Sequence, residues 1–273
     1  MKTDEMTATY THSTLTGEPR YTVRKCNERS NPLMVAEALR IHANGYLSMG
    51  FLNNEAVTDE GFIHSDLDRS RGENTDYYIV NNTADVNDCA TLRKVRLQPG
   101  ATIAELDCYE LCHRSLYPEA EVQLELLLSS HQPLVEISAL ARGPEASPAA
   151  VWHLLRAAFR DSRVTNEVWF FCLVVSTYSS LASNLGPSFM KIVGDDVSID
   201  DGRVNASVLL RPVIFDTATF LDTMLDDFGR TEGRDRRRLE RSLFFFSEGL
   251  EESAMSPAVA SFRSESVRRS TQR

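Results

Sequence analysis

Two spacings of apolar residues divide the chain into predicted strands and helices. Alternating or continuous apolar runs predict strands, and apolar positions that repeat every three to four residues predict helices. The predicted strands are 20–26, 77–80, 91–97, 133–141, 167–175, 189–193 and 204–210. The predicted helices are 31–49, 103–129, 147–161, 177–184, 217–228 and 236–249. Hairpin strands therefore interleave with helical crossovers, which predicts a mixed α/β sheet rather than a doubly wound parallel one.

The composition is that of one large globular domain or two small ones. The chain has 273 residues, of which 42% are hydrophobic and 25% charged, so a sizeable core needs no disulfide or structural metal. Residues 1–18 are polar and rich in threonine, and we expect them to be disordered. We expect a single domain over 19–228. Over 229–273 we expect a basic helical tail that is disordered from Ala254.

Charge is distributed unevenly along the chain. The formal net charge is −10, and we expect no nucleic-acid partner, because attraction to phosphates supplies most non-specific affinity. From Arg230 to Arg273, however, ten arginines outnumber seven acidic residues. This basic tail either touches an acidic partner or is a solvated helix with a disordered end.

Targeting and redox signals favour the cytoplasm. No apolar run approaches the ~18 residues of a membrane-spanning helix, and the polar N-terminus is unlike a signal peptide, so no integral membrane segment is expected. Five cysteines, an odd number, fit a reducing compartment. Cys108 and Cys112 precede His113, but the other histidines show no partner spacing. We therefore expect two thiols that face the core, and no metal site.

Four segments of the predicted domain follow one another in a characteristic order. The first, 21–52, is a strand followed by its helix, and the second, 65–97, has paired acids before a hairpin that ends in Arg-Leu. The third, 135–141, is a strand with a Glu-x-Ser pattern, and the fourth, 185–194, is a turn between a helix and the final hairpin. In order and spacing they resemble the GNAT acyltransferase superfamily. The resemblance is greatest to its autoinducer-synthase branch, the acyl-homoserine-lactone synthases and N-acyl amino acid synthases. It covers about residues 20–215.

The resemblance implies both a fold and an activity. The implied fold is a three-layer αβα sandwich with a mixed, mostly antiparallel sheet, here followed by a C-terminal helical tail. The implied enzyme is an N-acyltransferase that moves an acyl chain from an acyl-carrier-protein or acyl-CoA thioester to the amine of an amino acid or similar small metabolite. The thioester is then a co-substrate, and no permanently bound cofactor is expected. The implied partners are an acyl carrier protein and the small-molecule amine acceptor.

Two positions depart from the family pattern. The family's arginine, three residues after the glutamate, is Ala139 here. The acyl-CoA loop of common GNAT enzymes needs backbone N–H groups to face a pyrophosphate at a helix N-terminus. In the loop Arg142–Ser147, Glu145 stands where the first glycine belongs, and its carboxylate would repel the pyrophosphate. We therefore expect a carrier-protein donor rather than acyl-CoA.

The candidate proton-transfer residues are acidic. Acyl transfer to an amine needs a base and donors to the thioester oxygen. Glu136 sits in an apolar strand, where desolvation would suit it to that task; alternatively it faces solvent or pairs with Arg96. By resemblance, Asp66 and Asp68 bind or deprotonate the amine, and their alternative role is in a turn or helix cap.

The remaining candidates bind substrate or protonate the leaving group. Arg96 ends a strand and could hold a substrate carboxylate bidentately. By resemblance, Tyr178 protonates the leaving thiolate; its alternative is core packing. Ser138 and Arg142 complete the expected substrate-binding set. Ser138 has no adjacent histidine or lysine, which makes a serine nucleophile a poor hypothesis.

Three functions remain open at this point. The chain is an acyltransferase with a carrier-bound donor, an acyltransferase with an acyl-CoA donor and a different amine, or a non-catalytic GNAT-like module that binds an acyl chain or a partner. Ala139 and Glu145 depart from the pattern of active family members, so the last function is kept as an alternative.

Overall fold

The computed structural model describes residues 9–12, 21–63, 74–85, 87, 89–97, 100–130, 132–199 and 208–271. These residues fall into two compact units. The first contains the described residues of Met1–Leu106, Val135–Ala158 and Ser198–Val208. The second contains those of Asp107–Leu134, Phe159–Val197 and Leu209–Arg273.

Strands and helices alternate along the chain much as the apolar pattern predicts. The strands are β1 (Thr9–His12), β2 (Tyr21–Cys26), β3 (Thr75–Asn82), β4 (Cys89–Arg96), β5 (Leu134–Arg142), β6 (Val168–Val174), β7 (Lys191–Ile192), β8 (Val197–Ile199) and β9 (Val208–Asp216). The helices are α1 (Pro32–Ser48), α2 (Asp107–Cys112), α3 (Pro118–Ser129), α4 (Pro148–Thr165), α5 (Val175–Leu185), α6 (Phe220–Arg230), α7 (Gly233–Ser247) and α8 (Pro257–Thr271).

The sheet of the first unit is an antiparallel meander. β1, β2, β3, β4 and β5 pair in chain order, each antiparallel to the next. β1 lies inside the segment 1–18, for which disorder was expected. Its backbone pairs with the outer edge of β2, and hydrogen bonding to a free strand edge can order a polar segment that has little apolar surface to bury.

Helices cover both faces of this sheet. On one face, Cys26, Tyr77 and Ile79 pack in one cluster with Val35 and Leu39 of α1. On the other face, β2 and β3 present Tyr21 and Tyr78. The Tyr21 hydroxyl lies 2.7 Å from Ser147 Oγ, and its ring stacks on His153 of α4 at 4.7 Å. The first unit therefore has the predicted αβα layering.

Local signals explain where α1 begins and ends. Asn31 Oδ1 accepts a hydrogen bond from the Met34 N–H at 3.1 Å, and Pro32 occupies the first helical position, where a missing N–H costs nothing. After the helix, Gly50 takes a φ of +70°, the left-handed conformation that ends many helices.

The second unit is built around a short sheet and an aromatic core. β9 lies between β6 and β7 and is antiparallel to both. The Phe159 ring lies 6.3, 5.1 and 5.7 Å from the rings of Phe215, Phe220 and Phe246. These edge-to-face contacts join α4, α6 and α7 to the sheet within the second unit.

The predicted helix over 103–129 is broken into pieces. A 3₁₀ turn at Ile103–Glu105 precedes α2, and α3 starts only at Pro118. Tyr117, the residue before that proline, is extended at φ −69° and ψ 142°. Proline disfavours helical geometry in the residue before it, which accounts for the break.

β9 also differs from the prediction. A strand was predicted over 204–210, of which 204–207 lie outside the described residues, and β9 runs over Val208–Asp216. Pro212 in its middle argues against a strand because it has no N–H to donate. Its carbonyl still accepts a hydrogen bond from the Val193 N–H at 3.1 Å.

The end of the chain is helical where disorder was expected. α8 covers Pro257–Thr271. Val259 is fully buried, and the Phe262 ring meets the Phe228 ring at 5.3 Å. A few well-placed apolar residues thus dock a segment whose composition is mostly polar.

Candidate active site

The strand β5 carries a bulge beside the predicted catalytic glutamate. Thr91 of β4 faces Ala141, and Arg93 faces Ser138, so one residue of β4 opposes Ala139 and Leu140 together. Ala139 has a φ of +50°, which is rare for a residue with a side chain. Bulges leave one residue out of the ladder and occur often next to active sites.

Glu136 and Ser138 meet an arginine on the same sheet face. Arg93 Nε donates to Ser138 Oγ at 2.9 Å, and another nitrogen of its guanidinium lies 3.9 Å from Glu136 Oε1. The side chains of Arg93 and Glu136 are only 4% and 2% exposed. A guanidinium this close stabilises the negative charge of a desolvated carboxylate.

Arg96 is not the partner of Glu136. Arg96 faces Val135 across the ladder, while Glu136 faces Val95, so the two side chains point to opposite faces of the sheet. Arg96 instead donates to Asp76, which also lies 3.1 Å from Lys25 Nζ. The Arg96 side chain is 36% exposed.

Sequence reasoning missed Arg93 and Asp76. A charged residue in a short strand is usually assigned to a solvated face, but helices cover both faces here. The alternation of β4 places Arg93 on the same face as Thr91 and Val95, but its register with Ser138 is visible only in the structure.

The loop after β5 is held by its own contacts. Arg142 NH1 donates to the Ala146 carbonyl at 2.7 Å, and the Ala146 N–H donates to the Gly143 carbonyl. The Gly143 N–H donates to the Cys89 carbonyl of β4 at 2.9 Å. Glu145 of this loop is exposed, and its effect on a CoA donor stays a prediction.

Tyr178 lies on α5 in the second unit. Its ring is 9% exposed and packs on the Phe189 ring at 5.7 Å. The Arg211 guanidinium lies 4.9 Å from the ring centroid and donates to Asp196 at 2.7 and 2.8 Å. The hydrogen bond from Arg211 lowers the pKa of the Asp196 carboxyl. The role of Tyr178 as a proton donor stays a prediction.

The remaining expectations concern acids, thiols, metals and membranes. Asp66 and Asp68 lie outside the described residues. Cys108 and Cys112 are 4% and 1% exposed, which confirms that they face the core. In the part of the chain that the structure describes, no three His, Cys, Asp or Glu side chains are grouped as metal ligands would be. No helix there is both long and apolar enough to cross a bilayer.

Comparison with known proteins identifies the fold. No protein-family profile matches the sequence, and no curated protein does. The solved structure of FeeM, an N-acyl amino acid synthase from uncultured soil microbes, is 16% identical, with a TM-score of 0.52. The match covers 76% of this chain and 96% of FeeM. The chain has the GNAT fold.

Two further GNAT structures overlap the chain at lower TM-scores. One is the CoA-dependent acyl-homoserine lactone synthase MesI, 10% identical with a TM-score of 0.46, covering 86% of this chain and 99% of that one. The other is a GCN5-related N-acetyltransferase from Brucella melitensis, whose TM-score is 0.44. The FeeM match confirms the predicted α/β fold of GNAT type, with mostly antiparallel strands and a C-terminal helix.

Proposed function

We infer that the chain is an N-acyltransferase, which joins the acyl group of a thioester to the amine of an amino acid or a similar small metabolite. The observation that carries this inference is the buried Glu136 and Arg93 pair beside the bulge at Ala139, on a fold shared with an N-acyl amino acid synthase. No covalent intermediate is required, because holding both substrates side by side supplies much of the rate.

The first unit offers the groups that such a reaction needs. An ionised Glu136 can take the proton that the attacking amine loses. The bulge frees backbone from the ladder, and a backbone N–H aimed at the thioester oxygen would stabilise its developing negative charge. Ser138 accepts a hydrogen bond from the Arg93 guanidinium, which holds this positive charge in place beside Glu136.

The proposed roles of the other predicted residues follow their surroundings. Arg96 lies on the opposite face of the sheet from Glu136, so it is not placed to hold the carboxylate of an amino acid whose amine Glu136 deprotonates. Its proposed role is to neutralise the buried Asp76. Asp66 and Asp68 are proposed to receive the acceptor's ammonium group. Tyr178 is proposed as the proton donor to the thiolate, and Arg142 as the residue that sets the loop shape met by the donor.

Glu136→Gln tests the proposed function. Glutamine keeps the shape of the side chain but cannot take a proton, so we expect acyl transfer to fall by roughly 10² to 10⁴. Transfer of labelled acyl groups from thioesters to amino acids measures the rate, and thermal melting measures stability. Glu55→Gln, at an exposed position of the same unit, is the matched control.

A second function is favoured by the same ion pair. If Glu136 only neutralises Arg93 in a non-catalytic module that binds an acyl chain or a partner, Glu136→Gln leaves a buried guanidinium uncompensated, at a cost of about 3–5 kcal/mol. A large drop in melting temperature, with a wild-type chain that transfers no acyl group, would establish that function instead.

We further propose that an acyl carrier protein is the donor. By the family pattern, Glu145 stands at the position where a CoA pyrophosphate would meet backbone N–H groups, and its negative charge would oppose that contact. We expect kcat/KM for an acyl-carrier substrate to exceed that for acyl-CoA by more than about tenfold, equivalent to about 1.4 kcal/mol.

Glu145→Gln provides the internal control for the donor. It removes the charge while keeping the size, so it should raise kcat/KM for acyl-CoA and leave the carrier substrate unaffected. Equal or better use of acyl-CoA by the unmodified chain would contradict the carrier preference.

A further inference from the structure

The outward face of α7 is a stripe of arginines. Arg234, Arg237 and Arg241 lie three, four and seven residues apart, which puts them on one side of the helix. All three are exposed, and the opposite side buries Leu239 and Leu243. No ion pair to these three guanidinium groups is found among the residues that the structure describes.

The arginine stripe sits on a fixed support. The Phe246 ring lies 5.7 Å from that of Phe159 and 5.3 Å from that of Phe220. Half-buried Phe244 and Phe245 flank the stripe. Arginine and aromatic side chains together are the composition that protein interfaces favour.

The outward face of α3, in the same unit, has the opposite character. Val122 and Leu126 are four residues apart and 56% and 63% exposed. Exposed Glu119 and Glu125 lie on either side of this apolar pair, and Leu124 on the far side of the helix is fully buried. An apolar centre with an acidic rim is a surface that a basic helix can cover.

We propose that the arginine stripe of α7 docks on the α3 face of a second copy of this chain. Arginine stems can cover Val122 and Leu126 while their guanidinium groups reach the glutamates. Each copy carries both surfaces, so a two-fold arrangement makes the contact twice. Two such contacts bury twice the area of one, and a stable dimer needs ~800 Å² per partner.

A second copy fits the charge distribution better than an extended polyanion does. The chain as a whole is acidic, at −10, and a bilayer or nucleic-acid duplex would face that surplus as well as the stripe. A second copy instead presents exposed Glu119 and Glu125 on either side of an apolar pair, so its α3 face offers both opposite charge and apolar surface to the stripe.

Sedimentation velocity of the full chain tests the proposal across the micromolar range. The chain should self-associate, and 1 M salt should weaken the association, because it shortens the Debye length to about 3 Å. A chain that stays monomeric throughout this range would overturn the proposal, as would binding of the stripe to anionic vesicles or duplex DNA without self-association.

A charge swap makes the test specific. The first variant carries Arg234→Glu, Arg237→Glu and Arg241→Glu, and the second carries Glu119→Arg and Glu125→Arg. Each alone should weaken self-association at least tenfold, since α7 and α3 then bear like charges. An equimolar mixture should recover it, because every α7 then faces an oppositely charged α3.

The control variant changes three exposed arginines on other elements to glutamate: Arg29, Arg40 and Arg268. It alters the net charge as much as the α7 variant does and should associate like the unmodified chain. Circular dichroism confirms that each variant is folded. Failure of the mixture to recover association, or an equal loss in the control variant, would refute the α3–α7 contact.

Discussion

Burial governs the reactivity of single residues in this chain, and the thiols show it most directly. Cys26 lies against α1 with 3% exposed, and burial raises the pKa of its thiol to about 12. Because only a thiolate attacks an alkylating reagent, this raised pKa keeps the Cys26 thiol in its unreactive protonated form at pH 8.

The five cysteines should therefore be alkylated in a fixed order. We expect iodoacetamide at pH 8 to modify the half-buried Cys89 and Cys172 first, and the buried Cys26, Cys108 and Cys112 only on unfolding. Peptide mass spectrometry over time gives the order, with the urea-unfolded chain as the reference for full reaction. Modification of Cys26 as fast as Cys89 would show that α1 does not protect it.

The sequence predicts Glu136 as a candidate residue but not its pairing with Arg93. Glu136 could be selected as a candidate because a carboxylate in an apolar strand is unusual. Arg93 could not be paired with it, since that pairing depends on the register of β4 against β5 and on a bulge. Neither feature is encoded in the residues next to either side chain.

At the scale of elements, the close approach of α1 to β5 depends on one glycine. A Cβ on Gly45 would lie 2.5 Å from the Arg142 carbonyl oxygen and 3.1 Å from Ala141 Cβ. The helix can therefore rest against the end of the strand that carries Glu136 only if no side chain intervenes.

Gly45→Ala should destabilise the fold, against the intrinsic preference of a helix. Alanine is favoured over glycine in helices by up to about 1 kcal/mol, but the clash with backbone should cost about 1–3 kcal/mol. Urea unfolding measures the difference. Gly229→Ala in α6, where a Cβ meets nothing within 4 Å, should be neutral or stabilising. A stabilising Gly45→Ala would mean that α1 shifts freely.

Elements with clear boundary residues were the ones that the sequence predicted well. Asn31, Pro32 and Gly50 mark α1, and β2 to β6 follow apolar runs. Four elements differ from the prediction: β1 and α8, where disorder was expected, the helix over 103–129, which breaks before Pro118, and β9, whose Pro212 argues against a strand. The few apolar residues of α8 order it only because they pack on the rest of the second unit. Such tertiary support is invisible to a local pattern.

At the scale of the whole molecule, the C-terminal helix contributes to the second unit rather than trailing from it. Val259 is fully buried and Met255 is 9% exposed, whereas Val267 on the same helix is 43% exposed. The helix thus has one side that packs and one that faces water.

Val259→Ala should lower the free energy of unfolding by about 2 kcal/mol, the value of burying a valine side chain. Val267→Ala should leave it within about 0.5 kcal/mol, as for most surface substitutions. Thermal and urea unfolding of both variants give the comparison. Equal, small effects would indicate that α8 does not dock in solution.

The two compact units are each assembled from separated stretches of chain. During synthesis the ribosome releases residues in order, so β1 to β4 emerge well before β5, which must pair with β4, and residues 107–133 emerge between them. The edge of β4 that pairs with β5 therefore has no partner strand while α2 and α3 are being synthesised. No single division of the chain separates the two units from each other. A nascent chain arrested before residue 142 would expose the edge of β4 to chaperones or to other nascent chains.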